Sequence, residues 1–144
     1  MTEGKKNQKQ AGSEVKIFSI PFNQAEIKEN ITITTHTSSK VSKEQIINEA
    51  FKFHSQGNIS EAAKYYQYFI KQGFKDHRVF SNYGIILKDL GKLKEAELST
   101  RKAIELEPNS AISHCNLGVI LKDIGKVRES ELSHRKAIEL KPDF

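Results

Sequence analysis

Residues 82–108 read NYGIILKDLGKLKEAELSTRKAIELEP, and residues 116–142 read NLGVILKDIGKVRESELSHRKAIELKP. The second stretch is the first shifted by 34 residues: Gly84 recurs as Gly118, Gly91 as Gly125, Ala103 as Ala137 and Pro108 as Pro142. A fixed period of this size constrains the fold more than any local propensity. It marks an array in which one supersecondary unit stacks on the next.

Each copy holds two helical patterns. Phe80, Tyr83, Leu87 and Leu90 fall three or four residues apart and share one helix face. Gly91 ends that run, because glycine accepts the left-handed backbone found just past a helix. Leu93, Ala96, Thr100, Ala103, Ile104 and Leu106 form the second face, and Pro108 ends it. Gly84 and Ala103 are small where two helices must approach closely. The unit is therefore a helix, a tight turn and an antiparallel helix. One such pair cannot bury its apolar faces without neighbours.

These copies resemble tetratricopeptide repeats, in which sparse bulky and small residues alternate along two helices and a proline closes the unit. Phe80, Tyr83, Gly84, Leu87, Ala96, Ala103 and Pro108 supply that pattern in one copy. His114, Leu117, Gly118, Leu121, Ser130, Ala137 and Pro142 supply it in the next, with His114 replacing a bulky apolar residue and Ser130 replacing alanine. A degenerate copy lies upstream, where Ala50, Phe53, Gly57 and Ala62 fit the register. Phe69 stands there in the place of a small residue and Phe74 in the place of proline. Asn58 and Glu61 read as a reciprocal helix cap. The resemblance implies an all-α protein: a right-handed α-solenoid of three helix-turn-helix pairs over residues 43–76, 77–110 and 111–144. The aromatic residues crowded into the first copy read as larger side chains filling the space under a terminal repeat.

Residues 1–42 read as a flexible or extended, largely irregular segment. Residues 1–14 are almost without apolar side chains and cannot offset their own ordering entropy. Residues 15–22, VKIFSIPF, are β-prone but interrupted by Pro21, and residues 31–35, ITITT, alternate. Docking of Phe18, Ile20 and Phe22 on the aromatic first repeat is the preferred expectation.

The N-terminus lacks a signal-peptide pattern, and no stretch reaches the length of a membrane span. A single cysteine, Cys115, excludes an internal disulfide. A cytoplasmic protein without membrane contact is expected, and Asn30-Ile31-Thr32 is read as a chance glycosylation pattern. The net charge of +5 comes from lysines interleaved with glutamates, as in LKEAELSTRKAIELE, which describes a solvated surface better than a nucleic-acid stripe.

No phosphate loop, paired-cysteine metal site or nucleophile elbow is present, so no catalytic residue, cofactor or metal is expected. His114 and His134 fall on facing sides of one helix pair, where a packed, partly buried contact is expected. Two nitrogens alone make a poor metal site.

The resemblance instead directs attention to the inner wall, which in such arrays is lined by the first helix of each pair. That wall maps to Glu44, Ile47, Asn48, Phe51, His54 and Ser55, then to Arg78, Ser81, Asn82, Ile85, Lys88 and Asp89, then to Ile112, Cys115, Asn116, Val119, Lys122 and Asp123. The candidate peptide-groove residues are Asn48, Arg78, Asn82, Ile85, Lys88, Asn116, Val119 and Lys122. Asn48, Asn82 and Asn116 recur at one position, and a row of carboxamides can pair with the backbone of an extended peptide. This resembles the asparagine ladder of O-linked N-acetylglucosamine transferases; the plainer alternative is that each asparagine spaces neighbouring helices. The carboxylate clamp of tetratricopeptide co-chaperones needs basic residues where this chain has Ile47, Ile112 and Asn116, and only Asn82 agrees with it.

The expected function is thus a non-catalytic protein-interaction scaffold binding an extended peptide or protein segment. The chain also resembles the N-terminal part of marine cyanobacterial tetratricopeptide proteins, some of which continue into a sulfotransferase or glycosyltransferase domain. The alternative is a substrate-presenting array of such an enzyme, with an RNA-binding repeat protein as a weaker third. Self-association through the uncapped last repeat, around Ile138, is a further expectation.

Overall fold

The computed structural model describes residues 41–143. Six helices lie among these residues: α1 (Lys43–Ser55), α2 (Ile59–Lys71), α3 (His77–Asp89), α4 (Leu93–Leu106), α5 (Ala111–Ile124) and α6 (Val127–Leu140). No strand occurs among the described residues. Residues 15–22 and 31–35, with their expected docking, lie outside them. The helices pair as α1 with α2, α3 with α4 and α5 with α6, and the pairs stack through α2 on α3 and α4 on α5, while α3 also packs on α5. The architecture is an α-solenoid.

Local chemistry sets each boundary. Ser42 caps α1 reciprocally with Gln45: Gln45 N–H donates to Ser42 Oγ at 3.2 Å, and Ser42 N–H donates to Gln45 Oε1 at 2.9 Å. Asp76 and Ser110 cap α3 and α5 through Arg78 N–H and Ser113 N–H. The reciprocal cap expected of Asn58 and Glu61 forms only by half. Asn58 accepts from Glu61 N–H at 3.3 Å, but its own N–H goes to the Phe53 carbonyl, and the Glu61 carboxylate takes Lys64 instead at 2.7 Å. Within each pair the turn runs through a glycine with positive φ: Gly57, Gly91 and Gly125. The chain then folds back, with Lys92 N–H donating to Leu87 O and Lys126 N–H to Leu121 O, each at 2.8 Å.

The tail of the first repeat departs from the other two for a visible reason. Gly73, at φ +77°, stops α2 where proline serves elsewhere. Phe69 fills its place completely buried, and Phe74 folds back to set its ring 5.4 Å from that of Phe69. Ile46, Ile47, Tyr65, Tyr66, Phe69, Val79 and Ile86 form the core here, with Val41, Phe51 and Tyr83 packed around it. Aromatic bulk thus fills the terminal repeat. Leu87, Ala96 and Ile120 form a smaller cluster between the later repeats.

The close helix crossing decides the small residues. A Cβ on Gly84 would collide with Thr100 Oγ1 and sit 3.2 Å from the Ala96 carbonyl. A Cβ on Gly118 would lie 2.6 Å from the His134 ring. Ser130, in a place usually held by alanine, donates its buried hydroxyl to the Gly118 carbonyl at 2.7 Å. Thr100 Oγ1 is buried with no hydrogen-bond partner.

Gly84→Ala is expected to destabilise the fold by roughly 1–3 kcal/mol through overpacking, read by urea denaturation. Adding Thr100→Ala should recover most of the loss, since it removes the nearest obstacle. Gly118→Ala should cost less, because the half-buried His134 ring is free to swing aside. Equal costs for the two glycines would contradict this reading.

Candidate functional site

Of the residues mapped to the inner wall, Asn48, Arg78 and Lys122 are exposed, and Asn82, Ile85, Lys88, Asn116 and Val119 are half-buried. Two residues mapped to the wall from sequence are not available on it. Ile47 and Ser81 are buried, at 4% and 2% exposure. They occupy one register position, on the side of the first helix that meets the neighbouring packing.

The asparagines differ from one another. Asn116 donates from Nδ2 to Ser81 Oγ at 2.9 Å, across the boundary between the second and third pairs. Asn82 lies near the hydroxyl of Tyr66 on α2 and pulls its pKa down. Asn48 is exposed. Spacing between helices therefore accounts for part of what the row does. The amide of Asn116 is held by a residue of the preceding pair, and that of Asn82 sits beside the Tyr66 hydroxyl.

Tyr66 is the hub of a polar cluster under the wall. Its hydroxyl also contacts His54 Nδ1 at 2.9 Å, and its ring lies 5.9 Å from the imidazole, nearly edge-on. Burial pushes the Tyr66 hydroxyl up to about 12, against the pull of Asn82. Burial also lowers the His54 pKa below its ordinary 6.5, with the Asp89 carboxylate opposing. The Tyr83 hydroxyl, one turn along, accepts from Gln67 Nε2 at 2.8 Å.

Arg78 is less free than its exposure suggests. Its Nε and Nη2 grip both oxygens of Asp76 at 3.1 and 2.9 Å, and its guanidinium lies 5.4 Å over the Phe51 ring. Burial alone would raise the Asp76 pKa, but the Arg78 hydrogen bonds outweigh it and hold the carboxyl below its usual range. Arg78 offers a flat, partly neutralised plane and not an open cation. Lys88 pairs with Asp89 at 2.8 Å, and Lys122-Asp123 repeats that doublet.

His114 and His134, expected to pack together between α5 and α6, are both half-buried and each has another neighbour. His114 Nε2–H donates to the Pro108 carbonyl at 2.9 Å, while His134 lies over Gly118. Among the described residues no group of three potential ligands gathers for a metal. No helix among them is long and apolar enough to cross a membrane.

The opposite side of the array holds clefts that the sequence reading missed. One of about 460 Å3 is lined by Gln67, Ile70, Phe80, Tyr83 and Leu98. Another of about 600 Å3 is lined by Arg101, Ile104, His114, Leu117 and Leu132, their counterparts one period later. The signal was present: Leu98 and Leu132 are apolar residues on otherwise charged helix faces, and both are largely exposed.

Family models of the tetratricopeptide repeat match residues 77–110 and residues 100–131. Residues 77–131 are tetratricopeptide repeats. No curated protein matches the chain, but many solved structures share its fold. The tetratricopeptide domain of Arabidopsis OM64 is similar at 17% identity and a TM-score of 0.66, over 71% of this chain and 84% of that one. The first tetratricopeptide domain of Spaghetti (RPAP3), bound to the HSP90 peptide SRMEEVD, is similar at 19% identity and 0.65, over 72% and 85%. An O-GlcNAc transferase of Thermobaculum terrenum is similar at 22% identity and 0.68, over 71% of this chain but only 20% of that enzyme.

The burial of His54 makes stability depend on pH. A lowered folded-state pKa means that the unfolded chain takes up the proton first. Stability is therefore complete above 6.5 and is lost as the pH falls from 6.5 through the folded-state value. An NMR titration should place the His54 midpoint below 6.5, and His54→Gln should flatten the melting temperature between pH 6.5 and 5. A midpoint at or above 6.5 would contradict the assignment.

Proposed function

We propose that the array is a non-catalytic protein-interaction scaffold that holds an extended peptide or protein segment along the wall of α1, α3 and α5. The observation that carries this reading is the pinning of polar side chains on an accessible wall. Asn116 is held by Ser81, Arg78 by Asp76 and Phe51, and Lys88 by Asp89, while Asn82 sits beside the Tyr66 hydroxyl. Side chains already fixed lose little freedom when a partner arrives, so more of each contact appears as affinity. A carboxamide held at one end still presents a carbonyl oxygen to a peptide N–H. Ile85 and Val119, half-buried between the amides, supply apolar contact for alternate side chains.

The peptide bound by the similar RPAP3 domain supports the partner class. It does not transfer as a ligand. The acidic end of SRMEEVD calls for open cations, whereas here Ile47 is buried, Ile112 is apolar and the Arg78 charge is occupied by Asp76. A segment of mixed charge suits the alternating Lys88-Asp89 and Lys122-Asp123 doublets better. Arg101, Lys102, Lys126 and Lys136 all pair with glutamates, which leaves no continuous cationic stripe along them for a nucleic acid to follow. The scaffold is read as cytoplasmic on its cysteine usage.

A second reading, presentation of substrate to a transferase domain, is favoured by the similarity to the O-GlcNAc transferase. It uses the same wall and differs in the fate of the bound segment. Peptides selected by the array would then also be the ones modified when the catalytic domain is present.

Selection of binders from a library of extended peptides tests the proposal. Asn116→Ala is expected to weaken a selected peptide about tenfold, the equivalent of ~1.4 kcal/mol, and Val119→Glu to abolish binding. Leu132→Glu, on the other side of the array, should leave affinity unchanged. Loss of binding with Leu132→Glu and none with Val119→Glu would move the site to the opposite face.

A further inference from the structure

We infer that the outer face of the third repeat is a docking surface for another tetratricopeptide hairpin, and that a charge code on α6 selects which hairpin fits. The boundary between the second and third repeats supplies the template. There Glu97 and Arg101 on α4 meet Lys126 and Glu129 of the third repeat. Arg101 Nη2 lies 2.8 Å from Glu97 Oε1 and 2.9 Å from Glu129 Oε2, and Lys126 Nζ lies 3.2 Å from Glu97 Oε2. Four charges of alternating sign close into one network, and the Glu97 side chain is only 14% exposed within it. Beside the network Ile104, Leu117 and Leu132 line one cleft, and Asn116 reaches back to the buried Ser81.

One period later the same outgoing residues recur. Glu131 and Arg135 stand where Glu97 and Arg101 stand, Ile138 where Ile104 stands, and Cys115 where Ser81 stands. Here no ion-pair partner faces Glu131 or Arg135 among the described residues. Both are exposed, and Ile138 is 56% exposed against a half-buried Ile104. The face is thus a second copy of a surface whose occupant is visible at the first copy. That occupant is a helical hairpin with lysine and glutamate where Lys126 and Glu129 stand, and asparagine where Asn116 stands.

The second repeat carries the same incoming set, as Lys92, Glu95 and Asn82. The first repeat does not: Asn58 stands in the place of the lysine, and Glu61 is already paired with Lys64. The leading face of another copy of this chain therefore lacks the cation that Glu131 requires. The code favours a hairpin of the second or third type and disfavours head-to-tail growth of the chain on itself.

Fusing residues 77–110 in register after residue 144 tests this on the full chain. The extended protein should melt in one transition, with the melting temperature raised by roughly 5 °C or more. Glu131→Lys with Arg135→Glu should remove most of that gain while leaving the parent chain's melting temperature unchanged. Exchanging the two charges in the appended copy, at its equivalents of Lys92 and Glu95, should restore the gain. A separate transition for the added hairpin, or an unchanged melting temperature, would overturn the docking surface. A gain that ignores the charge reversal, or that the reciprocal exchange fails to restore, would overturn the code. Sedimentation of the parent chain should show a single species across concentration. A dimer abolished by Glu131→Lys would instead make a second copy the occupant.

Discussion

Everything in this array rests on how closely the two helices of a pair can approach. At Gly84 the backbone of α3 comes so near α4 that Thr100 occupies the space of a missing side chain, and at Gly118 the His134 ring does the same. That approach brings the apolar sides of both helices inward together. It also rotates the remaining sides outward, one toward the inner wall and one toward the opposite clefts. A larger residue at the crossing would push the helices apart and spoil both surfaces, because packed interiors transmit displacements. The Ser130 hydroxyl, bonded to the Gly118 carbonyl, shows how little spare room remains there. The unpartnered Thr100 hydroxyl is the cost of putting a polar atom into the same space.

Because the crossing repeats every 34 residues, so do its consequences, and exceptions become interpretable. Tyr66 stands in the place of Thr100 and His134, and carries a hydroxyl that reaches His54 and Asn82. The first repeat thus exchanges a small residue for a buried phenol, and its core grows aromatic around it. Phe69 and Phe74 follow from the same change of volume. The result is an aromatic repeat whose polar interior is tied to the second repeat, as Gln67 donates to the Tyr83 hydroxyl.

Much of this was legible in the chain. The period fixed the number of pairs, and Gly57, Gly91 and Gly125 marked the turns because their positive φ excludes most other residues. Which wall residues are reachable was not legible. Ile47 and Ser81 follow the expected register, yet lie buried, because burial depends on how far one pair leans on the next. The partners of Asn82 and Asn116 are Tyr66 and Ser81, both in the preceding pair, and periodicity says nothing about a contact made once. The half-formed cap at Asn58 failed for a similar reason, since the demand of Lys64 on the Glu61 carboxylate competed with the capping motif. The histidines show the limit most plainly. Facing positions on two helices do not reveal that the His114 ring bonds the Pro108 carbonyl or that the His134 ring lies over Gly118.

Pinned wall residues also connect recognition to the strength of the array. In a stack of this kind stability is close to a sum of pair terms and boundary terms. The bond from Asn116 to Ser81 is a boundary term, and Asn116 is at the same time a candidate for contact with a partner. A segment lying across that boundary would touch both repeats only when they are stacked in register. It would bind the folded array and not the unfolded chain, and so would raise stability by mass action. The converse also holds: loosening the second boundary would reduce the fraction of molecules able to bind, without altering any residue the partner touches. The charge network of Glu97, Arg101, Lys126 and Glu129, which lies away from that wall, thereby bears on affinity through the stack it closes.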